Sequence, residues 1–468
     1  MQLNCDKEYG QKYFRIWRNV LTSCASIYKE HKTEKMSTKF FKFTIVLLLF
    51  AGSFSSCTKN ASDDEIEKNN GDANFSTVSL DTSFGENGRV IIPNTSEISF
   101  FDFDRHSNIV AVGYTLIGNG GWHHLTIAKT NANGIIDKSF GDNGLAKVTD
   151  YDNSSPMGLK ITNDNKIFVI GSFTKIQFQG RETIMMRFNE DGTVDSNFGD
   201  NGKVNISSNA GYIVSLNFDD DNFMLIARQE GEAVEKNGTL YYNLTGYSIS
   251  KYNYSGEIDN SFGQNGTVHL TNSIYPRCMK ILNNGSIFIA GTYNTWPNIE
   301  LGLCKLTASG RIDKSFANNG IWHKDVMQDF DLDHEYFSNI LEDKSGNLIL
   351  SGSGLRNSQG WGNRAFLSKF FSNGKLDTSF GKKGFYCFDF GGSFKPIFQI
   401  GDKYITAGWL EDHKIVCVNE NGTSGSDVYT CGIYYFQDMK LQGNNRIILG
   451  GGSNMYDANF ALERVVID

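Results

Sequence analysis

The chain has 468 residues, enough for one large domain or for two or three ordinary ones, so length alone does not fix the number of domains. It contains 35 Phe, 20 Tyr, 49 Gly and only 5 Pro, a composition that favours many short strands with tight glycine turns and excludes collagen and a disordered chain. Residues 1–57 hold nine of the 44 Lys and Arg and four of the 52 Asp and Glu. The rest of the chain therefore has 35 basic and 48 acidic residues and a net charge of −13. Such a surface repels phosphate backbones, so we do not expect the protein to bind nucleic acid.

A secretory signal begins at Met36. Two lysines precede an apolar stretch from Phe43 to Ala51, and small residues follow as far as Cys57. The apolar stretch is too short to span a membrane. The ending Ser55-Ser56-Cys57 resembles the lipobox of bacterial lipoproteins, which implies that Cys57 is acylated, for example with palmitate, and becomes the first mature residue. A plain signal peptide cleaved near Ser56 is the alternative.

The segments on either side of the signal peptide and lipobox (residues 36–57) are predicted to lie outside the folded domain. Residues 1–35 are interpreted as an upstream extension, with Met36 as the start of the protein. Residues 58–74 are polar and acidic, as in a flexible tether. Within them, Ser62 to Glu65 resembles the acidic signals that send some Gram-negative lipoproteins to the cell surface; an ordinary solvated linker is the alternative. We therefore expect a lipid-anchored protein of the outer membrane, on the cell surface or on the periplasmic face.

Five cysteines follow Cys57 in the sequence, an odd number that cannot pair completely. Cys304 and Cys417 lie within apolar strand patterns. We expect these cysteines to pack as small hydrophobic residues rather than to form disulfides or a metal site.

One nine-residue motif recurs six times at steps of 56, 58, 64, 54 and 64 residues. Its copies are LDTSFGENG from Leu80, IDKSFGDNG from Ile136, VDSNFGDNG from Val194, IDNSFGQNG from Ile258, IDKSFANNG from Ile312 and LDTSFGKKG from Leu376. A seventh copy has decayed to GTSGSD from Gly422. Such regular recurrence indicates a repeat architecture.

Two apolar strand patterns accompany each copy of the motif. The first pattern ends in glycine in six of its seven copies, as in NIVAVG, which ends at Gly113, and Ala227 is the exception. The second follows it and ends in a tight turn, as in LTIAKTNANG. With one strand before and one after, each repeat supplies four strands, which is typical of a β-propeller blade. A linear β-solenoid is the competing architecture.

The two ends of the repeat region complement each other. The last repeat runs into Asp468 without a motif or a fourth strand, whereas the first motif, at Leu80, precedes any complete repeat. If the N-terminal piece completes the C-terminal blade, no strand edge stays unpaired. We therefore predict an all-β fold: a seven-bladed propeller over residues 75–468, closed by hydrogen bonding between residues near Leu80 and residues near Val465.

The motif and the strand that follows it resemble the bacterial delta-60 repeat family. The resemblance covers about residues 75–468 and implies a β-propeller. It implies no activity and no catalytic residue, because the family has no agreed activity.

Two residue types within the motif are expected to have structural roles. The phenylalanine is the one large apolar residue and should be buried between neighbouring blades. The aspartate three positions earlier can accept backbone N–H bonds in its own turn. A ring of these aspartates binding calcium is the alternative, although the spacing offers only one carboxylate per blade. The residues concerned are Asp81, Phe84, Asp137, Phe140, Asp195, Phe198, Asp259, Phe262, Asp313, Phe316, Asp377 and Phe380.

Ligand-binding residues are expected on the loops that follow the glycine strands, since propeller strands form a scaffold and loops carry function. The longest of these loops is predicted after Ala227. Aromatic and histidine side chains in or beside the loops suggest a surface for an extended glycan or a partner protein. The candidates are Trp122, His123, His124, Tyr241, Tyr242, Trp296, Trp361 and Trp409. Tryptophans that merely cover the blade ends are the alternative.

No enzyme is expected, because the sequence has no GxSxG, HExxH or paired CxxC motif. His123 and His124 are adjacent in a strand and therefore point to opposite faces. Asp331, Asp333, His334 and Glu335 are interpreted as a solvated inter-blade loop rather than a weak metal site, and Asp219-Asp220-Asp221 as an exposed turn. No cofactor or metal is predicted. A structural subunit of an outer-membrane assembly and a propeller hydrolase or lyase remain as alternative functions.

Overall fold

The computed structural model describes residues 78–118, 122–175, 180–206, 213–219, 223–236, 239–270, 274–293, 299–330, 332–356, 363–388, 396–409, 413–454 and 458–467. The predicted extension, signal peptide, Cys57 and tether lie outside the described residues. Among the residues described, no helix is long and apolar enough to cross a bilayer.

The described strands form seven antiparallel sheets, which we call blades 1 to 7. The chain begins with β1 (Val78–Leu80) and β2 (Arg89–Ile92). Blade 1 contains β3 (Glu97–Phe103), β4 (Ile109–Ile117), β5 (Trp122–Thr130) and β6 (Leu145–Val148). Blade 2 contains β7 (Asn153–Ile161), β8 (Ile167–Lys175), β9 (Gly180–Phe188) and β10 (Lys203–Asn205). Blade 3 contains β11 (Ile213–Phe218), β12 (Phe223–Lys236), β13 (Thr239–Asn253) and β14 (Thr267–Leu270).

The remaining blades follow the same order along the chain. Blade 4 contains β15 (Ile274–Ile281), β16 (Ile287–Tyr293), β17 (Glu300–Leu306) and β18 (Ile321–Lys324), and a short helix α1 (Met327–Phe330) follows it. Blade 5 contains β19 (Leu332–Glu342), β20 (Leu348–Arg356), β21 (Asn363–Phe370) and β22 (Phe385–Cys387). Blade 6 contains β23 (Phe398–Ile400), β24 (Lys403–Trp409), β25 (His413–Asn419) and β26 (Gly425–Thr430). Blade 7 contains β27 (Tyr434–Gln442), β28 (Arg446–Gly452) and β29 (Phe460–Ile467).

The ring closes as the sequence predicts, and the prediction of a seven-bladed propeller is confirmed. Both N-terminal strands pair with β29, with Leu80 opposite Val465 and Val90 opposite Leu462. Blade 7 is therefore built from both ends of the described chain. Pairing the two ends removes the open sheet edges that a linear stack of blades would expose.

Two ion pairs reinforce this closure. Arg464, which is 2% exposed, donates from Nε to Asp81 Oδ2 at 2.8 Å, and its guanidinium lies 4.7 Å from the ring centre of Phe84. Arg89 donates from Nε to Glu463 at 2.6 Å, and the Glu463 side chain is fully buried. Each pair joins an N-terminal residue to the C-terminal strand β29, so closure depends on buried charge pairing as well as on backbone pairing.

The buried apolar residues that the structure describes form seven clusters, one at each interface between neighbouring blades. The six motif phenylalanines are at most 2% exposed, and each belongs to the cluster between its own blade and the next. The interface between blades 6 and 7, where the motif has decayed, is filled instead by residues such as Phe436 and Ile433. The motif phenylalanine therefore packs the blades against each other.

Backbone hydrogen bonds from the motif also join the blades. The residue after the motif phenylalanine donates its N–H to a carbonyl in the third-strand turn of the next blade. Gly85 donates to Asn133 at 2.7 Å, and Ala317 donates to Asn373 at 2.9 Å. One nine-residue motif thus supplies both an apolar and a polar contact to the adjacent blade.

The motif aspartates are engaged within their own blades. Oδ1 of Asp259 accepts bonds from the N–H and hydroxyl of Ser261, and Oδ2 pairs with Lys251 at 2.9 Å. These hydrogen bonds and the Lys251 charge lower the pKa of Asp259 to about 2. Asp81, Asp195 and Asp313 also pair with a basic residue of the third strand, namely Arg464, Arg187 and Lys305. These partners support a structural role for the motif aspartates.

The glycine that recurs in the second strand of the blades has a steric cause. The first strand of blade 1 has a β-bulge between Ile98 and Phe100, opposite Gly113. The bulge brings the carbonyl oxygen of Glu97 to 1.9 Å from where a Cβ of Gly113 would stand. Blade 4 repeats the arrangement, with the Tyr275 carbonyl oxygen 2.0 Å from a Cβ on Gly291. A side chain at either glycine would therefore clash with the bulged strand.

Candidate binding surface on the loop face

The end of each blade where the second strand passes into the third is called the loop face here. First strands of neighbouring blades contact each other, as β3 does β7 and β15 does β19, so the first strands line the centre of the ring. Because every sheet runs from first to fourth strand outward, the second-to-third connections of all blades lie on one face. This face is where the sequence places the candidate ligand-binding residues.

The structure brings three candidates together on blade 1. Trp122, His123 and His124 are the first residues of β5. Trp122 is 41% exposed, and its neighbours across the hairpin, Leu116 and Ile117, are 56% and 36% exposed. Burial and the charge of Lys147 lower the pKa of His124. The end of this hairpin therefore presents three apolar side chains to solvent beside a histidine pair.

The prediction of a long loop after Ala227 is wrong. The two strands β12 and β13 continue as a hairpin to Lys236 and Thr239, so Tyr241 and Tyr242 lie in a strand opposite Val234 and Ala233. The Asn237-Gly238 dipeptide between two strand-forming segments is a two-residue hairpin signal that indicates this outcome. Hydrogen bonding of the extended hairpin satisfies backbone groups that a loop would leave to water.

The remaining candidates are Trp409, Trp296 and Trp361. Trp409 is the last residue of β24, opposite His413. Trp296 and Trp361 lie outside the described residues, so they stay predictions.

The acidic segment predicted as an inter-blade loop is also corrected. Asp333, His334 and Glu335 belong to β19, the first strand of blade 5. Glu335 is 1% exposed and accepts a hydrogen bond from the backbone of Val326 at 3.3 Å. The segment forms a strand because its partners across the sheet, Leu355 and Ser353, continue the pairing of blade 5. Asp331, Asp220 and Asp221 lie outside the described residues.

A cluster that the sequence interpretation missed lies at the loop-face ends of blades 3, 4 and 5. Tyr247 of β13 and Tyr275 of β15 pack edge to face, with ring centres 5.1 Å apart. Arg277, two residues after Tyr275, is exposed and places its guanidinium 5.3 Å from the ring centre of Tyr336 in β19. Among the residues described, Arg277 forms no ion pair. We call Tyr247, Tyr275, Arg277 and Tyr336 the tyrosine–arginine cluster.

Burial controls the protonation of this cluster. Tyr247 is 8% exposed, and burial, helped by the neighbouring Tyr275, raises the pKa of its phenol despite the opposing charge of Arg277. The phenol therefore stays neutral at physiological pH and can both donate and accept a hydrogen bond. The signal in the sequence is the Tyr-Pro-Arg run at 275–277, within a first strand whose counterparts in other blades are mainly apolar or small.

A second aromatic arrangement lies beside the cluster on blade 4. The rings of Tyr293 and His323 stack with centres 4.1 Å apart, and His323 Nδ1 lies 2.5 Å from Glu300 Oε2. Gly302 makes room for the stack, since a Cβ there would lie 3.0 Å from Cβ of Tyr293. The glutamate holds the imidazole in a fixed orientation.

The described part of this surface offers groups that can bind a polar ligand. Tyrosine rings, a guanidinium and a histidine–glutamate pair provide apolar faces together with donors and acceptors. Within the described ranges, no group of three or more His, Cys, Asp and Glu could hold a metal ion. Among the residues described, the five cysteines of the propeller form no disulfide, and Cys278, Cys304 and Cys417 are buried. Burial raises the pKa of Cys304 to about 12, so it is not a thiolate nucleophile.

Comparisons with known proteins agree with the fold. A family model described as a domain of unknown function (DUF5122) beta-propeller matches residues 162–198, which run from the turn before β8 to the motif phenylalanine Phe198. No curated protein sequence matches the chain. Together with the seven sheets, the family match shows that this is a β-propeller repeat protein.

Solved structures with a similar fold are distant in sequence. The acylaminoacyl peptidase of Pyrococcus horikoshii is 9% identical with a TM-score of 0.45, over 80% of this chain and 52% of that one, so this chain spans about half its length. The β-propeller domain of the trilobed protease from Pyrococcus furiosus is 10% identical with a TM-score of 0.43, over 80% of this chain and 94% of that domain. The polysaccharide lyase Uly1 is 10% identical with a TM-score of 0.47, over 82% of this chain and 92% of the lyase. These likenesses concern the fold alone.

Proposed function

We propose that the protein is a non-catalytic binding protein that captures a glycan on its loop face. The tyrosine–arginine cluster carries this proposal. Tyrosine rings offer an apolar platform with a polar tip, which suits the alternating C–H and hydroxyl surfaces of a sugar. The exposed guanidinium of Arg277 adds donors with a fixed geometry beside this platform.

The cluster is better suited to binding than to catalysis. Its tyrosines come from three different blades, and Arg277 with the half-buried Tyr275 and Tyr336 forms its accessible part. General acid and base catalysis needs a proton donor and acceptor within hydrogen-bond reach of a reacting group, commonly with pKa values near the working pH. The pKa of Tyr247 is instead shifted upward, away from neutrality.

Replacing Arg277 tests the glycan proposal directly. We expect Arg277→Ala to weaken glycan binding by about tenfold or more, because hydrogen bonds to charged groups contribute about 1.5–3 kcal/mol. The melting temperature should stay unchanged, since the side chain is exposed and unpaired among the described residues. Calorimetric titration with glycans selected on an array measures the effect.

Arg311→Ala is the matched control for this prediction. Arg311 is also exposed, but it lies in the third-strand turn of blade 4, at the opposite end of the blade. The control variant should bind as the unmodified protein does. Equal affinities for the Arg277 variant, the Arg311 variant and the unmodified protein would contradict the proposal.

We further propose that Cys57 anchors the protein to the outer membrane through a lipid, at the cell surface. The lipobox-like sequence supports this proposal. We expect Cys57→Ala to move the protein from the membrane fraction to the soluble fraction and to abolish incorporation of a labelled palmitate, because the thiol is the acylation site. Cys387→Ala, which removes a thiol within the propeller, is the control and should change neither result. Retention of Cys57→Ala in membranes after a high-salt wash would argue against the lipid anchor.

Membership of an outer-membrane assembly is the second candidate function. The exposed apolar residues Leu116, Ile117 and Trp122 at the end of one hairpin favour it, since contiguous exposed apolar side chains mark protein contacts. Affinity purification of the lipidated protein from native membranes separates the two functions. Polypeptides that co-purify with the unmodified protein, but not with a triple alanine variant of these residues, favour the assembly.

A further inference from the structure

A groove lies on the outer side of the propeller between blades 4 and 5. Its walls are the motif of blade 4, the outer strand β18 and the third-strand turn of blade 5, including Asn318, Trp322, Lys375 and Leu376. The cavity has a volume of about 570 Å³. Sites for small ligands commonly have volumes of about 300 to 1,000 Å³. The groove lies near the motif turns rather than on the loop face, and its lining includes His323, which stacks on Tyr293.

Trp322 occupies a position of the outer strand at which the side chain differs between blades, with Ala146 in blade 1 and Tyr386 in blade 5. Other blades carry Val90, Val204 and Val268 at the same position, immediately after the first residue of the outer strand. Each valine fills the space beside a turn glycine of the next blade. A Cβ at Gly134, Gly256 and Gly310 would lie 2.5, 2.7 and 2.6 Å from Cγ2 of Val90, Val204 and Val268.

Trp322 packs differently from these valines. Its ring turns toward blade 5 and packs edge to face on Phe370, with ring centres 4.7 Å apart. The three atoms nearest to a Cβ on the corresponding glycine, Gly374, belong to Phe316 and Ala317. Trp322 therefore lines the groove while its ring contacts blade 5.

Two polar side chains in the groove have no partner within the described part of the chain. The side-chain amide of Asn318 and the ammonium of Lys375 form no hydrogen bond or ion pair there, although the backbones of both residues are bonded within their turns. Asn318 can donate and accept hydrogen bonds, and Lys375 can only donate. No carboxylate is among the residues that line the groove.

The lining chemistry distinguishes between classes of ligand. A purely apolar ligand would bury the amide of Asn318 and the charge of Lys375 without partners, which is unfavourable. A phosphate group is normally bound by several cations or backbone N–H groups, and this groove has one lysine. A sugar has hydroxyl groups for the amide and the ammonium, and apolar C–H faces for the indole and Leu376.

We propose that this groove is a second saccharide-binding site, which holds part of an oligosaccharide against the indole of Trp322. The hydroxyl groups of the saccharide bond to Asn318 and Lys375. The site is independent of the tyrosine–arginine cluster, because it lies on another surface and uses other residues. A protein with both sites can hold two segments of one polysaccharide, or two separate chains.

The test uses the full-length protein and a double variant, Asn318→Ala with Lys375→Ala. Its control, Gln264→Ala with Arg311→Ala, makes equivalent changes at the interface of blades 3 and 4, where Val268 stands in place of Trp322. The probes are hexasaccharides of uncharged hexoses and of uronic acids. We expect at least one probe to bind the groove variant at least tenfold more weakly than it binds the unmodified protein and the control.

Fluorescence provides a second measurement on a variant that keeps the packing. Trp322→Phe retains an aromatic ring beside Phe370, and we expect it to lose most of the ligand-induced change in tryptophan emission. If no probe binds, or if every probe binds the groove variant and the control equally, the inference is overturned. Loss of binding in the groove variant but not in Arg277→Ala would retain this site and reject the loop-face proposal; the reverse pattern would reject the groove.

Discussion

Replacing Asp81 with alanine should destabilise the propeller more than the same change at any other motif aspartate. The variant leaves the guanidinium of Arg464, which is 2% exposed, without its carboxylate partner. Removing one partner of a buried ion pair costs about 3–5 kcal/mol, because the remaining charge stays desolvated. Arg464 also donates to the carbonyl of Ala132 in blade 1 at 2.9 Å, so its displacement loosens the junction of blades 7 and 1. Chemical denaturation of the purified propeller measures the loss in free energy of unfolding.

Asp137→Ala is the matched control for this prediction. Asp137 has the same position in the motif of blade 1 and accepts bonds from Ser139 at 3.0 and 2.5 Å, but among the described residues it has no ion pair. Loss of these bonds should cost only about 1 kcal/mol. Equal losses in the two variants would mean that the junction of the chain ends has no special role in stability.

Replacing Phe198 with alanine should cost about 3–5 kcal/mol, the usual effect of removing a buried aromatic ring from a core. Phe198 is 2% exposed and packs edge to face with Phe168, at 5.4 Å between ring centres. The guanidinium of Arg187 lies 4.7 Å from the centre of the Phe198 ring. The substitution would leave a cavity between blades 2 and 3, where the rigid neighbouring sheets limit how far the surrounding residues can move in to fill it. The shift of the denaturation midpoint measures the cost.

Phe371→Ala makes the same chemical change at an exposed position. Phe371 is 41% exposed in the third-strand turn of blade 5, so its removal should change stability by less than about 1 kcal/mol. The prediction fails if the midpoint of Phe198→Ala matches that of Phe371→Ala.

Much of the fold could be predicted because a repeated motif leaves few arrangements. Seven apolar strand patterns and an incomplete last repeat predict seven blades and a shared closing blade, and Leu80 pairs with Val465 as predicted. The motif phenylalanine could be placed between blades because it is the one large apolar residue in a polar turn. The boundaries of individual strands were harder to predict, since the hairpin around Tyr241 depends on pairing along the whole of β12 and β13.

The candidate site was predicted only in part. Trp122, His123 and His124 lie together because they are consecutive in one strand, which the sequence itself shows. The tyrosine–arginine cluster could not be found in this way. Tyr247 and Tyr336 are 89 positions apart in the sequence, and only the contact of blades 3, 4 and 5 places them around Tyr275 and Arg277.

The sequence by itself determined the repeat, the number of blades and the pairing of the chain ends, because strand periodicity and unpaired edges are local properties of the chain. The tertiary structure decided which polar side chains meet across blade boundaries. It also decided that Trp322 turns toward Phe370 and lines a groove, whereas three other blades have a valine at that position. Such contacts depend on the packing of residues that are distant in sequence, and no local pattern encodes that packing.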